Sequence, residues 1–150
     1  METPQRCPEC GADWTNDATC QDHFHQMLFW ENEYPEKTLA VHHLLVLCYH
    51  LQHPSLYSPE GLTYARGLLA DFVVRGQTPQ QVRREKREQV ASDKRNFKII
   101  GTPEAHGFYT FPVVWTMTAA DVVAGGVEAY DGNIKTWARS IYEVLTAGGH

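Results

Sequence analysis

Two cysteines three positions apart with a glycine behind them, Cys7-Pro8-Glu9-Cys10-Gly11, constrain this chain more than any other feature in it. Cys20 follows, and then a dense run of histidines. All four cysteines and six of the eight histidines fall between positions 7 and 53. A Cys-x-x-Cys turn directs both sulfurs at one cation, and thiolate mixed with imidazole suits zinc better than calcium or magnesium. The first third of the chain therefore reads as a metal site. Whether the ion does chemistry or holds the fold is a separate question that the spacing leaves open.

The rest of the chain must fold around that site. With 150 residues and 43% hydrophobic content, it can bury a core of its own, unlike an isolated zinc finger. The expected fold class is mainly α, a single-domain helical bundle over 1–150 with an N-terminal zinc-knuckle-like segment at 1–19. Helices are expected at 20–34, 38–53, 58–76, 78–94, 118–124 and 130–146. Each has a physical signal. Pro35 and Pro54 close the first two, because the residue before a proline is biased away from helix. Thr38 reads as a cap, while Ser58-Pro59 and Thr78-Pro79 each pair a cap with a first-turn proline. Thr118 with Asp121 resembles a capping box. The last helix buries Ile134, Trp137, Ala138, Ile141 and Leu145 at helical spacing. Near 97–115, apolar residues alternate with glycine and proline, which predicts an irregular apolar loop or a short hairpin, with the aromatic tract 108–115 in the core.

The net charge of −5 is unevenly placed, since residues 83–98 hold seven Lys/Arg against three acids. An acidic body argues against nucleic acid as a partner, and the basic segment reads as a solvated helix face crossed by ion pairs. A partner is left at the level of a protein or small molecule. No charged start leads into an apolar run and no stretch is long enough to span a bilayer, so no membrane role is expected and the protein is placed in the cytoplasm.

Cys7 and Cys10 are the first two ligands. Cys20 opens the first helix, where the dipole favours a thiolate, and is the third. Several histidines compete for the fourth position. His23, one turn after Cys20, would make a compact Cys₃His site from nearby residues. His50 and His53 could touch one ion together. His42 and His53 share a helix face but lie about 16 Å apart along an unbroken helix, too far to bind the same ion. Trp14 and Trp30 read as packing residues, one of them a shield for the metal.

The knuckle, the later Cys20 opening a helix, then His42 and Tyr49-x-x-Gln52-His53-Pro54, resemble an uncharacterised bacterial family known only as a domain of unknown function. Met117-Thr118-Ala119-Ala120-Asp121-Val122 and Trp137-Ala138-Arg139-Ser140 resemble its closing segment. The resemblance implies Cys7, Cys10, Cys20, His42, Tyr49, Gln52 and His53 as the matching positions. His23 has no counterpart, which moves the choice of histidine to His42 or His53. Tyr49 and Gln52 are then expected to orient the ligands by hydrogen bonds.

The resulting expectation is a zinc-binding helical protein whose ion is mainly structural, held by Cys7, Cys10, Cys20 and either His42 or His53. The alternative is a small zinc-dependent hydrolase with an open coordination site facing the histidine helix, where Glu31, Glu33, Tyr49 or His53 would move protons. A second alternative is a protein-interaction module. No Gly-rich phosphate loop, nucleophile elbow or His-Glu-x-x-His helix is present to name a reaction.

Overall fold

Each helix begins where the chain supplies partners for its first free N–H groups. A computed structural model describes residues 6–12, 18–85, 99–111 and 113–148. Helix α1 (Cys20–Glu33) is opened by Thr19, whose hydroxyl accepts from the Asp22 amide while the Asp22 carboxylate accepts from Thr19 N–H at 2.9 Å. Pro35 does not only close α1. It occupies the first position of a four-residue helix, α2 (Pro35–Thr38), where its missing N–H costs nothing.

The segment expected as one helix over 38–53 is consequently built in pieces. Thr38 ends α2 and precedes the next turn without a side-chain capping bond: it is buried, with its hydroxyl donating to the Tyr34 carbonyl at 2.9 Å. A 3-10 turn (Leu39–Val41) leads into α3 (His42–Leu51), and Gln52 and His53 lie beyond its end. Pro54 then opens another 3-10 turn, Pro54–Leu56.

Helix α4 (Pro59–Val73) starts at Ser58, whose hydroxyl accepts from Gly61 N–H at 2.9 Å. Residues 79–85 form α5, begun by Thr78 and Gln81, each side chain accepting from the other's backbone N–H. The remainder of the expected charged helix, to 94, lies outside the described residues. Helix α6 (Ala119–Ala124) carries the Thr118–Asp121 capping pair, with Thr118 N–H donating to the carboxylate at 2.8 Å. Helix α7 (Tyr130–Ala147) follows a 3-10 turn, Val127–Ala129.

Helix α3 is the centre of the bundle. It packs on α4 and α7, while α1 packs on α6. Trp137, Tyr130, Met27, Leu45, Leu51, Leu69, Ile134 and Ile141 are fully buried, so the core draws on α1, α3, α4 and α7 together. Its size supports stability that does not depend on an ion.

The stretch 99–111 and 113–117 is an irregular loop with no strand among the described residues; isolated bridges pair Tyr57 with Ile100 and Thr102 with Ala105. Its backbone is sewn to the start of α4 by Ser58 N–H to the Ile99 carbonyl at 2.7 Å and Gly107 N–H to the Tyr57 carbonyl at 2.8 Å. Gly101 permits this approach, since a Cβ there would collide with the Tyr57 carbonyl. The tract 108–115 is only partly core. Tyr109, Phe111 and Trp115 pack against it, while Phe108 and Val114 are exposed. Among the described residues no helix is long and apolar enough to cross a membrane.

Candidate metal centre

The knuckle is built from its own backbone. Gly11 N–H donates to the Cys7 carbonyl and Cys7 N–H to the Ala12 carbonyl, both at 2.9 Å. Gly11 makes the turn with φ of +76°, a left-handed conformation that a Cβ would strain. The result aims the Cys10 amide at the Cys7 sulfur, 3.4 Å away. A backbone N–H on sulfur favours the thiolate form, which is the form that binds a metal.

The other two donors come from helix ends. Cys20 is the first residue of α1, and its sulfur lies 3.4 Å from that of Cys10. That separation is far from the roughly 2.05 Å of a disulfide, and all four cysteines are free. His53 sits just past the end of α3. Its Nδ1 meets the Tyr49 carbonyl at 2.7 Å, and because a carbonyl only accepts, Nδ1 carries the proton. Nε2 is thereby the donor atom left for a cation, and it lies 3.5 Å from the Cys7 sulfur.

The ligand atoms of Cys7, Cys10, Cys20 and His53 all fall within 4.8 Å of one another, and all four residues are buried. A regular tetrahedron with metal–sulfur bonds of about 2.3 Å and metal–nitrogen bonds of about 2.05 Å has edges of roughly 3.8 Å (S–S) and 3.6 Å (S–N). The separations of 3.4 and 3.5 Å are close to those edges. These four side chains could hold a metal ion.

Their electrostatics point the same way. Hydrogen bonds from the Cys10 and Cys20 side chains hold the Cys7 thiol far below its usual range, while the same contacts push Cys10 up. Burial pulls the His53 imidazole down, but hydrogen bonds to Cys20 and Cys7 outweigh it and carry it up to about 10. A Cys7 thiolate held out of water needs a positive charge beside it, and His53 can supply it only by giving up its ligand nitrogen.

A second layer locks the donors. Glu9, inside the knuckle, accepts from the Ser55 amide at 3.1 Å and from the Ser55 hydroxyl at 2.8 Å, tying the turn to the segment just after His53. The Tyr49 ring lies 4.5 Å from the His53 ring, and Phe24 stacks on Tyr49 at 4.3 Å. Burial first, and then the neighbouring cysteines, raise the Tyr49 phenol to about 12.

Of the two histidines expected for the fourth position, only His53 joins the three sulfurs. His42 does not: its Nδ1 bonds the Glu31 carboxylate at 2.5 Å and its side chain is half exposed. His23 is also outside the cluster and half-buried. Gln52 does not orient a ligand either, since its amide donates to the Met117 carbonyl at 2.7 Å, joining α3 to the lead-in of α6. Cys48, fully buried on α3, is no ligand, and burial pushes its thiol up. Trp30 packs edge-on against Tyr130 rather than over the cluster, and Trp14 lies outside the described residues.

Glu31 had been a proton-transfer candidate at the metal. It is instead buried beside His42, where it also accepts from the Tyr130 hydroxyl at 2.8 Å. The signal for its burial is visible in α1. Cys20, Phe24, Met27 and Glu31 recur at helical spacing, so the glutamate sits on the inward stripe.

The chain belongs to a family of unknown function, DUF5946, whose model matches residues 5–146. No curated protein and no solved structure matches it.

Proposed function

We propose that this member of the family binds one zinc ion through Cys7, Cys10, Cys20 and His53, and that the ion is structural. The observation that carries this reading is the convergence of four buried donors from three separate places in the chain. Three sulfurs and one imidazole satisfy tetrahedral zinc fully and leave no position for water, which is the mark of a structural rather than a catalytic centre. The ion would staple the knuckle to the start of α1 and the end of α3. The hydrolase alternative needs an open position and a nearby carboxylate, but Glu31 is committed to His42 and Tyr130.

Metal analysis of protein purified without chelator or nickel resin, combined with thiol titration, tests the proposal. One zinc per chain and three thiols released by chelation, with Cys48 reacting only on unfolding, is the expected result. Two released thiols would reopen the catalytic reading. Absence of metal from protein refolded with excess zinc would end it.

A further inference from the structure

The flank of α3 carries a second feature, independent of the cysteine cluster. Between α3, α4 and α5 lies a cavity of about 520 Å³, edged by Ile99 and Ile100. That volume is ordinary for a site holding a small organic molecule. Its wall is predominantly apolar, with Val46 and Leu47 from α3 facing Ala65, Leu68 and Phe72 from α4.

The polar side chains on this wall are His42, His43, His50 and Arg83 with the phenols of Tyr57 and Tyr64, and no Asp or Glu lines the cavity among the described residues. Arg83 forms no ion pair among the described residues. Burial lowers the His43 imidazole, and the charges of His42 and Arg83 lower it further. His42 is fixed from behind. Glu31, which is not part of the lining, takes its Nδ1 at 2.5 Å and is itself held by the Tyr130 hydroxyl. The other ring nitrogen of His42 is left for a ligand. His50 donates Nδ1–H to the Val46 carbonyl at 2.7 Å, so its Nε2 is an acceptor.

We propose that this cavity binds a small apolar molecule bearing one anionic group. The apolar body lies against the α3 and α4 wall, and the anion meets Arg83, with the His42 imidazole lining the same cavity. Charge complementarity selects this ligand class: Arg83 is the permanently charged group of the lining, and with no carboxylate lining the cavity among the described residues it favours an anion over a cation or a neutral polar molecule. The apolar wall rejects inorganic phosphate and sulfate as the whole ligand, since they would leave it uncovered. The proposal also gives a use to His42, which the metal centre does not employ.

A matched pair of fluorescent probes tests it on the 150-residue chain. 8-Anilinonaphthalene-1-sulfonate and N-phenyl-1-naphthylamine share one aromatic body and differ by the sulfonate. Saturable binding of the sulfonate at one site, about tenfold tighter than its neutral analogue, is expected from one charge-assisted contact. Arg83→Gln should remove most of that difference and leave the neutral probe unchanged. Leu68→Trp, which fills the cavity, should weaken both probes, with far-UV circular dichroism and metal content as controls for folding. Equal affinity for the two probes, insensitivity of the sulfonate to Arg83→Gln, insensitivity of both to a folded Leu68→Trp variant, or lack of saturable binding by either would each overturn the proposal.

Discussion

If the four donors hold zinc as proposed, stripping it should lower the stability of the fold without dissolving it, and the size of the drop can be worked out. Structural zinc in finger peptides binds with an apparent free energy of at least about 10 kcal/mol at neutral pH. That lower value is a floor here. The knuckle is already bent by its own hydrogen bonds, and the His53 tautomer is already set by the Tyr49 carbonyl. With free zinc at about 10 µM, linkage converts 10 kcal/mol of binding into roughly 3 kcal/mol of folding stability. For a chain of this length each kcal/mol moves the midpoint by about 2–4 °C, so chelation should lower Tm by at least about 6 °C. The core of Trp137, Tyr130, Leu45 and Ile141 keeps its contacts without the ion, so the stripped protein should still melt cooperatively. Thermal denaturation followed at 222 nm, with and without a chelator, checks both statements. Hydrogen exchange should rise at 6–12 and around Cys20 and His53, and stay low in α7. If metal analysis confirms removal and Tm moves by less than about 2 °C, the ion does not hold the fold together. Loss of all helical signal at room temperature would refute the independent core instead.

Two substitutions separate the ligands from their surroundings. Glu9→Ala removes both hydrogen bonds to Ser55, contacts exposed enough to cost only about 1–2 kcal/mol, so chemical denaturation should register a modest loss while the knuckle thiols react faster. Gln52→Met leaves the Met117 carbonyl unpaired but also removes a buried side-chain oxygen that has no partner among the described residues, for a net loss of about 1 kcal/mol. Because the Gln52 side-chain amide bonds the Met117 carbonyl rather than one of the four donors, its variant should retain full zinc affinity in a competition titration; a tenfold fall would show that it acts on the site after all.

The parts of the site that local spacing controls were readable from the chain. Cys7 and Cys10 are joined by one turn, and Cys20 opens a helix marked by its apolar spacing, so none of the three needed knowledge of the tertiary path. The fourth ligand did. His42 and His53 stand at opposite ends of the α3 segment with the same rotational phase, and nothing along the chain says which end meets the knuckle. The bonds from Ser55 to Glu9 select the C-terminal end, across 46 positions of sequence. Helix starts were legible wherever a cap and a proline agreed, as at Ser58-Pro59. At Thr38 they competed, and Pro35 won because it restarts the helix one turn earlier. The loop at 99–117 has no period to read, and its position follows from backbone bonds to residues 56–58.

The same long-range assembly separates two roles that the histidine-rich helix merges in sequence. His53 leaves the helix and turns its ring to the sulfurs, whereas His42, His43 and His50 face the cavity. A glutamate on the buried stripe of α1 makes sense in that setting. Placed near the sulfurs, Glu31 would set a carboxylate against the Cys7 thiolate. Placed behind His42, it has two hydrogen-bond partners and fixes a ring at the edge of an apolar space. Replacing a buried ion pair by a hydrophobic pair of similar volume is often neutral or stabilising, so packing alone does not call for a carboxylate at this place. The ligand proposed for the cavity gives the Glu31–His42 pair a use, on the side of α3 away from the sulfurs.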